Sequence, residues 1–146
     1  MKKDKKMGKV YAELELSNAS DDFLVKVGKA PADSIRKVKI TSLVDTGATM
    51  LVLPPDAIKA LGLQVIRVVQ GRFADGKLRE RRIYGPVMVK VFKRVMQIEA
   101  AEGAANMPAL LGQIPLEGLD LLVDSKNQRL ILNPESQSQE MALIEM

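Results

Sequence analysis

The 146-residue sequence contains no cysteine and no histidine. Without these residues the chain cannot form a disulfide, a Cys nucleophile, a Ser-His-Asp triad, or a zinc site built from thiolates or imidazoles. Any acid–base chemistry near neutral pH therefore falls to carboxylates, lysines or tyrosines. We expect neither a metal site nor another cofactor.

Long apolar runs and aromatic residues are also scarce. No apolar stretch approaches the roughly 18 residues of a membrane span, and none of the kind found in secretory signals follows the basic N-terminus. We therefore expect a cytoplasmic protein without membrane contact. The net charge is +4, with basic clusters at residues 2–9 and 79–82 and aromatic residues at only 3%. Since Phe73 is the one phenylalanine near the second cluster, solvated surface explains these charges better than nucleic-acid binding does.

The remaining composition, 47% apolar and 27% charged, is typical of a soluble globular domain. Apolar and polar residues alternate in residues 10–16 and 36–44, which predicts half-buried strands. Asp75-Gly76 separates two further extended stretches and is a strong hairpin signal. The many short strands indicate an all-β protein, either a barrel or a sandwich.

Only one segment reads clearly as a helix. PPDAIKALGL places prolines in the first turn, Asp56 at the positive end and Gly62 after the last turn. A second short helix is predicted from Pro115. The stretch FLVKVG, after Asp21 and Asp22, is rich in apolar residues and predicts a strand.

An acid interrupts two apolar stretches in SLVDTGATMLVLPP. Small residues follow Asp45 at once, and Gly47 would let the backbone pass close to the carboxylate and direct N–H groups towards it. A surface turn and a catalytic carboxylate are both consistent with this local pattern.

Four motifs in order and spacing resemble the retropepsin-like aspartic proteases, single-domain enzymes that work as homodimers. They are LVDTGAT, PPDAIKALGL, the ADGK hairpin and ALLG, and the resemblance covers about residues 10–133. It implies a closed all-β barrel with one short helix after the active-site strand and one near the C-terminal side. Residues 1–9 would then be a basic flexible leader. Residues 134–146 would be a C-terminal tail that either adds an intersubunit strand or remains unstructured.

The resemblance also implies roles for individual residues. Asp45 would be the catalytic acid of an endopeptidase that cuts extended polypeptides, with one Asp45 from each subunit activating a water. Thr46 would bond across to the partner's loop, and Gly47 completes the catalytic triplet. Substrate would lie on Ala48 and beneath a flap formed by Phe73, Ala74, Asp75 and Gly76.

A second acid of the same kind is not evident in this chain. Asp124 and Ser125 follow an apolar run, but Lys126 stands where the motif needs glycine, so a hairpin turn is the better interpretation. One chain then supplies one acid, and the active enzyme must be a symmetric dimer.

One position departs from the retroviral pattern, because Gln113 follows the glycine of ALLG where retroviral members usually have an arginine that ties the dimer together. Two alternatives to an active protease remain at this stage. The chain could be a catalytically inactive module of the same fold that binds peptides or dimerises. It could also be a basic β-domain that binds nucleic acid or acidic partners.

Overall fold

The computed structural model describes residues 9–73 and 75–135, and its elements are mostly strands. The predicted leader 1–9, except Lys9, and the predicted tail from residue 136 onwards lie outside the described residues. The strands are β1 Val10–Asn18, β2 Lys37–Val44, β3 Leu51–Leu53, β4 Gln64–Arg72, β5 Leu78–Val91, β6 Arg94–Glu102, β7 Ala109–Leu111, β8 Leu121–Asp124 and β9 Arg129–Leu132. The helices are α1 Ala19–Lys26, α2 Pro55–Leu61 and α3 Gln113–Gly118, and a 3₁₀ turn spans Ala32–Ser34. Within these ranges, no helix is long and apolar enough to cross a membrane.

Six strands close into a barrel. Their order is β1-β2-β7-β3-β6-β5, and β5 pairs with β1 to complete the ring. The fourth strand, β4, pairs with β5 at one side, and β8 and β9 form a separate hairpin. This confirms the predicted closed all-β barrel, with α2 after β3 and α3 near the C-terminal side.

The barrel interior is filled by side chains that alternate along each strand. In β1, Val10, Ala12, Leu14 and Leu16 face inwards and are buried, whereas the residues between them are exposed or partly exposed. Each fully buried leucine contributes about 1.5–3 kcal/mol relative to an exposed one. The alternation seen in the sequence is thus the alternation between core and surface.

The second helix forms as its sequence predicts. Pro55 occupies the first turn, and Gly62 ends the helix in the left-handed conformation with a φ of +63°. Ala57, Ile58 and Leu61 are buried against the barrel. The end of the helix is therefore fixed by the glycine, which adopts this φ at little cost.

The prediction of a strand at FLVKVG is wrong, because residues 19–26 form α1. The side chain of Asn18 accepts a hydrogen bond from the backbone N–H of Asp21 at 3.0 Å and caps the helix start. Two acidic residues in the first turn suit the positive end of the helix dipole. These terminal signals outweigh the strand preference of the apolar residues that follow.

Asn18 also connects α1 to the end of α2. Its side-chain amide is buried and donates to the carbonyl of Leu61 at 2.8 Å. Asp21 in turn accepts two hydrogen bonds from the Arg36 guanidinium, at 2.9 Å each. The Arg36 guanidinium occupies the space that a side chain at residue 62 would fill. The contacts of Asn18, Asp21 and Arg36 therefore connect the start of α1 to the end of α2.

The long strand β5 serves two parts of the molecule. Its second half, from Val87, pairs with β1 and β6 inside the barrel. Its first half pairs with β4 in a hairpin. The register shifts between Tyr84 and Val87, at the predicted break Gly85-Pro86, whose peptide bond is cis. Before the break, Ile83 and Tyr84 still pair with Ala101 and Ala100 of β6, so the hairpin formed with β4 leaves the barrel on the far side of Ile83.

Candidate active site

Asp45 lies directly after β2, where it extends the pairing of that strand with β7. Its backbone N–H donates to the carbonyl of Leu111 at 3.0 Å. Its carboxylate Oδ1 accepts the N–H of Gly47 at 2.9 Å, and its carbonyl accepts the N–H of Ala48 at 3.0 Å. The half-buried acid is therefore oriented by the short turn that follows it.

The turn is fixed from its other side by the segment that begins α3. The N–H of Gln113 donates to the carbonyl of Ala48 at 2.8 Å, and the N–H of Ile114 donates to the carbonyl of Thr49 at 2.9 Å. Gly112 makes this approach possible. A Cβ there would lie 2.4 Å from the carbonyl oxygen of Met50 and 2.7 Å from that of Ala48. The ALLG motif thus acts as a backbone clamp on the Asp45 loop.

A row of apolar side chains crosses the outer face of the barrel beside this loop. Each of its six residues lies on a different strand and is the register partner of the next. We call this row the outer band, and its residues are Tyr11, Leu43, Leu110, Val52, Ala101 and Ile83. Val52, Ala101 and Ile83 are buried there in a second apolar cluster, with Met50, Val69 and Leu110 packed against it. Asp45 follows Leu43 by two residues, so strand alternation places it on the face of the outer band. The acid therefore lies at the margin of an apolar surface outside the core.

The hairpin formed by β4 and β5 closes near Phe73. The N–H of Gly76 donates to the carbonyl of Phe73 at 2.8 Å, and Gly76 has a φ of +81°. Asp75 forms an ion pair with Arg79. The guanidiniums of Arg79 and Arg81 lie 5.0 and 5.1 Å from the centre of the Phe73 ring, within the range of cation–π attraction.

The predicted site residues form two groups in the structure. Asp45, Thr46, Gly47 and Ala48 share one loop. Phe73, Asp75 and Gly76 lie in the hairpin, and Ala74 falls outside the described residues. The link between the two groups is the second apolar cluster, to which Val69 of the hairpin and Met50 and Leu110 of the loop region belong.

Thr46 and Gln113 point to the open side of the Asp45 loop. Thr46 is exposed, and no hydrogen bond of its hydroxyl is found within residues 9–73 and 75–135. Gln113 donates from its side-chain amide to Glu117 of its own helix at 2.8 Å. A cleft of about 400 Å³ opens beside both residues, and Leu122 on its wall is 44% exposed.

Asp124, the acid that the sequence analysis compared with Asp45, has structural contacts of its own. Asp124 accepts hydrogen bonds from the backbone and side chain of Asn127, and its other carboxylate contact is Arg129 at 3.2 Å. The Asn127 hydrogen bonds, with help from Arg129, lower the pKa of the Asp124 carboxyl below its usual range. These contacts match the predicted hairpin turn. Within the described ranges, no group of three or more acidic residues is arranged to hold a metal ion.

The outer band is the part of the site that sequence reasoning missed. A signal was present, because SLV, LVL and ALL each contain neighbouring apolar residues instead of strict alternation. Such doublets indicate a strand that is covered on both faces. Their positions beside Asp45 and Gly112 would have indicated an apolar surface next to the acid.

Comparison with known protein families agrees with this geometry. The family model described as "Aspartyl protease" matches residues 32–113, which is more than half of the chain. The chain belongs to the aspartyl protease family. The matched residues begin before β2 and end at Gln113, so they include the Asp45 loop, the hairpin and the glycine clamp.

Among solved structures, the EIAV protease complexed with the inhibitor HBY-793 is similar to this aspartyl protease family member. The identity is 26%, the match covers 56% of this chain and 77% of that chain, and the TM-score is 0.44. A comparison with curated proteins gave no match.

Proposed function

We propose that this member of the aspartyl protease family is a homodimeric endopeptidase. Asp45 from each subunit would meet its symmetry mate on a two-fold axis, and the scissile bond of an extended polypeptide would lie above the pair. The observation that carries the proposal is the Asp45 loop, which orients one carboxylate through Gly47 and is clamped through Gly112. A symmetric dimer is the simplest assembly that supplies a second such acid.

The chemistry follows from two carboxylates in close contact. Like charges about 3 Å apart cannot both ionise, so the pair holds one proton; aspartic proteases are the standard example of this behaviour. The ionised carboxylate accepts a proton from a water, which attacks the peptide carbonyl. The protonated carboxylate donates its proton to the carbonyl oxygen. The two acids exchange these states as one titrating unit.

The surroundings of the loop suit a second subunit and a substrate. The exposed hydroxyl of Thr46 is available to the partner's loop, and the cleft beside it offers Leu122 as apolar contact surface. Gln113 bonds within its own helix, so the dimer would depend on contacts other than the arginine of retroviral members. Ala48 would form part of the substrate floor, and the hairpin around Phe73, Ala74, Asp75 and Gly76 would close over the substrate as a flap.

The proposal is tested by incubating a denatured-protein mixture with the wild type and with Asp45→Asn between about pH 3 and pH 7, where carboxylate pairs operate. We expect cleavage by the wild type that Asp45→Asn reduces at least about a hundredfold, since a positioned acid–base group contributes that much or more. Asp124→Asn is the matched control, because it removes the same charge from a hairpin turn and should retain cleavage.

Sedimentation of the same samples tests the assembly. We expect a dimer for the wild type and for Asp45→Asn, because the substitution changes the acid and leaves the clamp intact. Undiminished cleavage by Asp45→Asn, or an active species that remains monomeric at high concentration, would refute the proposal. The cytoplasmic location and the bounds of the leader and tail stay predictions.

A further inference from the structure

The face of the hairpin that carries Ile83 also carries two arginines. Arg81 lies two residues before Ile83 in β5, and Arg79 lies two residues before Arg81, so all three side chains share one face. Arg81 pairs with Val69 of β4, which packs against the second apolar cluster together with Met50 and Leu110. The arginines therefore lie on the face of the hairpin that continues the outer band, at whose margin Asp45 also lies.

Arg81 is held in an unusual position. A Cβ at Gly71 would lie 2.3 Å from Cδ of Arg81, so the arginine stem crosses the strand where a glycine leaves room. One Nη donates to the carbonyl of Glu102 at 3.1 Å. The buried Nε has no hydrogen-bond acceptor within the described part of the chain. A buried donor without an acceptor is rare in proteins, and because the Nε is buried, a bound group would reach Arg81 through its remaining Nη donors.

The neighbouring arginines differ from Arg81 in their partners. Arg79 pairs with Asp75, Arg67 pairs with Glu99, and Arg82 lies 3.6 Å from the carboxylate of Glu102. For Arg81, no carboxylate lies within ion-pair distance among residues 9–73 and 75–135, and the backbone carbonyl of Glu102 is its hydrogen-bond partner. Its guanidinium thus retains both charge and hydrogen-bond donors.

We propose that Arg81 selects polypeptide substrates with a carboxylate side chain close to the bond that is cut. A guanidinium forms two parallel hydrogen bonds with a carboxylate, and it is the side chain best suited to such recognition. Phe73 and Gly71 fix the position of Arg81, so the interaction requires little reordering when a substrate binds. This inference deepens the proposed protease function and rests on it.

The cleavage test begins with the wild type and a mixture of peptides of known sequence. The peptide that is cut best and has a glutamate near the scissile bond is then synthesised in two forms, one with that glutamate and one with glutamine in its place. We expect the wild type to prefer the Glu form by about ten- to hundredfold in kcat/KM, mainly through KM, because hydrogen bonds to a charged group have this worth. Measurements near pH 6 keep the peptide carboxylate ionised.

Arg81→Met should remove this preference while cleavage of the Gln form persists, since methionine preserves apolar packing without the charge. Arg82→Met is the matched control, because Arg82 is the next residue of the strand and already has the Glu102 carboxylate as a partner at 3.6 Å, so this variant should retain the preference. Gly71→Ala should reduce the preference without any change in charge, because its Cβ displaces the Arg81 stem. Equal cleavage of the Glu and Gln forms by the wild type, or a preference that survives Arg81→Met, would overturn the inference.

A binding experiment separates this inference from the proposed chemistry. The full-length Asp45→Asn variant is immobilised and captures peptides from the same mixture. The enrichment of acidic peptides on it is compared with the enrichment on two double variants, Asp45→Asn/Arg81→Met and Asp45→Asn/Arg82→Met. Loss of enrichment with Arg81→Met alone supports acidic recognition, even if the wild type cleaves nothing and the protease proposal fails. An equal drop in both double variants would assign the effect to net charge, and equal enrichment on all three proteins would show that Arg81 is not involved. Either result would overturn the inference, even if cleavage is observed.

Discussion

The loop that carries Asp45 and the hairpin that carries Phe73 are held by different kinds of contact. The loop is bonded through its backbone to β7 and to the start of α3, and Gly112 brings these segments together. Beyond the backbone pairing of β4 with β5, the end of the hairpin near Phe73 depends on exposed side chains, chiefly the ion pair of Asp75 with Arg79 and the contact of arginines with the Phe73 ring. Its base is packed against the second apolar cluster through Ile83 and Val69. Most residues of β4 are exposed.

This difference fits two mechanical tasks. A catalytic carboxylate must be held within a fraction of an ångström of its working position, and backbone hydrogen bonds to a strand and to a helix start provide this. A segment that admits and covers a substrate must open without unfolding the domain. Segments with few buried apolar contacts and exposed hydrogen bonds open at the lowest free-energy cost. The proposed roles, a fixed Asp45 and a hairpin that moves over the substrate, therefore follow from the different contacts that hold the two segments.

The largest effect is expected for Gly112→Ala. The new Cβ would meet two carbonyl oxygens of the Asp45 loop, and backbone atoms cannot move aside as a flexible side chain can. We expect the free energy of unfolding to fall by about 1–3 kcal/mol, as for overpacked core sites. Peptide cleavage should be lost as well. Urea denaturation and cleavage assays on one preparation measure both effects, and retention of full activity would show that the clamp does not position the acid.

A smaller and more local effect is expected for Gly76→Ala. No atom lies within 4 Å of the new Cβ, but the φ of +81° costs a non-glycine residue about 1 kcal/mol. Because the end of the hairpin can open locally, amide hydrogen exchange should become faster at residues 72–78, and the urea midpoint of the whole domain should fall less than in Gly112→Ala. If the midpoint falls as far as it does in Gly112→Ala, the hairpin is not an independent unit and the contrast with the loop fails.

The smallest effect concerns Asp21 and Arg36, whose ion pair joins α1 to the segment before β2. Hydrogen bonds from the Arg36 side chain lower the pKa of the Asp21 carboxyl below its usual value. A lowered pKa in the folded state means that the contact stabilises the protein above the unfolded pKa, and that this stability is lost as pH falls through the folded pKa.

Asp21→Asn should therefore reduce the free energy of unfolding near pH 6 and have little effect well below pH 3. Because the Arg36 side chain is 52% exposed, we expect a difference of about 1 kcal/mol or less. Urea denaturation at the two pH values measures it. Asp22→Asn is the neighbouring control, and an equal loss in that variant would assign the effect to the helix dipole instead of Arg36.

The sequence predicted those parts of the fold that depend on local chemistry. Prolines and Gly62 marked both ends of α2, and Asp75-Gly76 marked the hairpin turn. The location of the acid followed from the small residues after Asp45. In each case the physical cause lies within a few residues of the structure it produces.

Features that depend on distant partners were not predictable in this way. Asn18 caps α1 locally through Asp21, a signal that the sequence does contain, but its amide also bonds to Leu61 on another helix, and no local pattern reveals that second bond. The outer band requires the pairing of six strands, two of them only three residues long. The free charge of Arg81 becomes apparent only when the partners of its neighbours are known.

The continuity of the outer band has a consequence for how strictly the strand register is fixed during folding. Each strand in the row presents alternate residues inwards and outwards, so sliding one strand by a single residue would exchange its two faces. Leu43 would then turn into the barrel, and the neighbouring residue that fills the core would turn out. A molecule assembled in the wrong alignment would lose its interior and the outer band at once, so misassembled copies should be unstable.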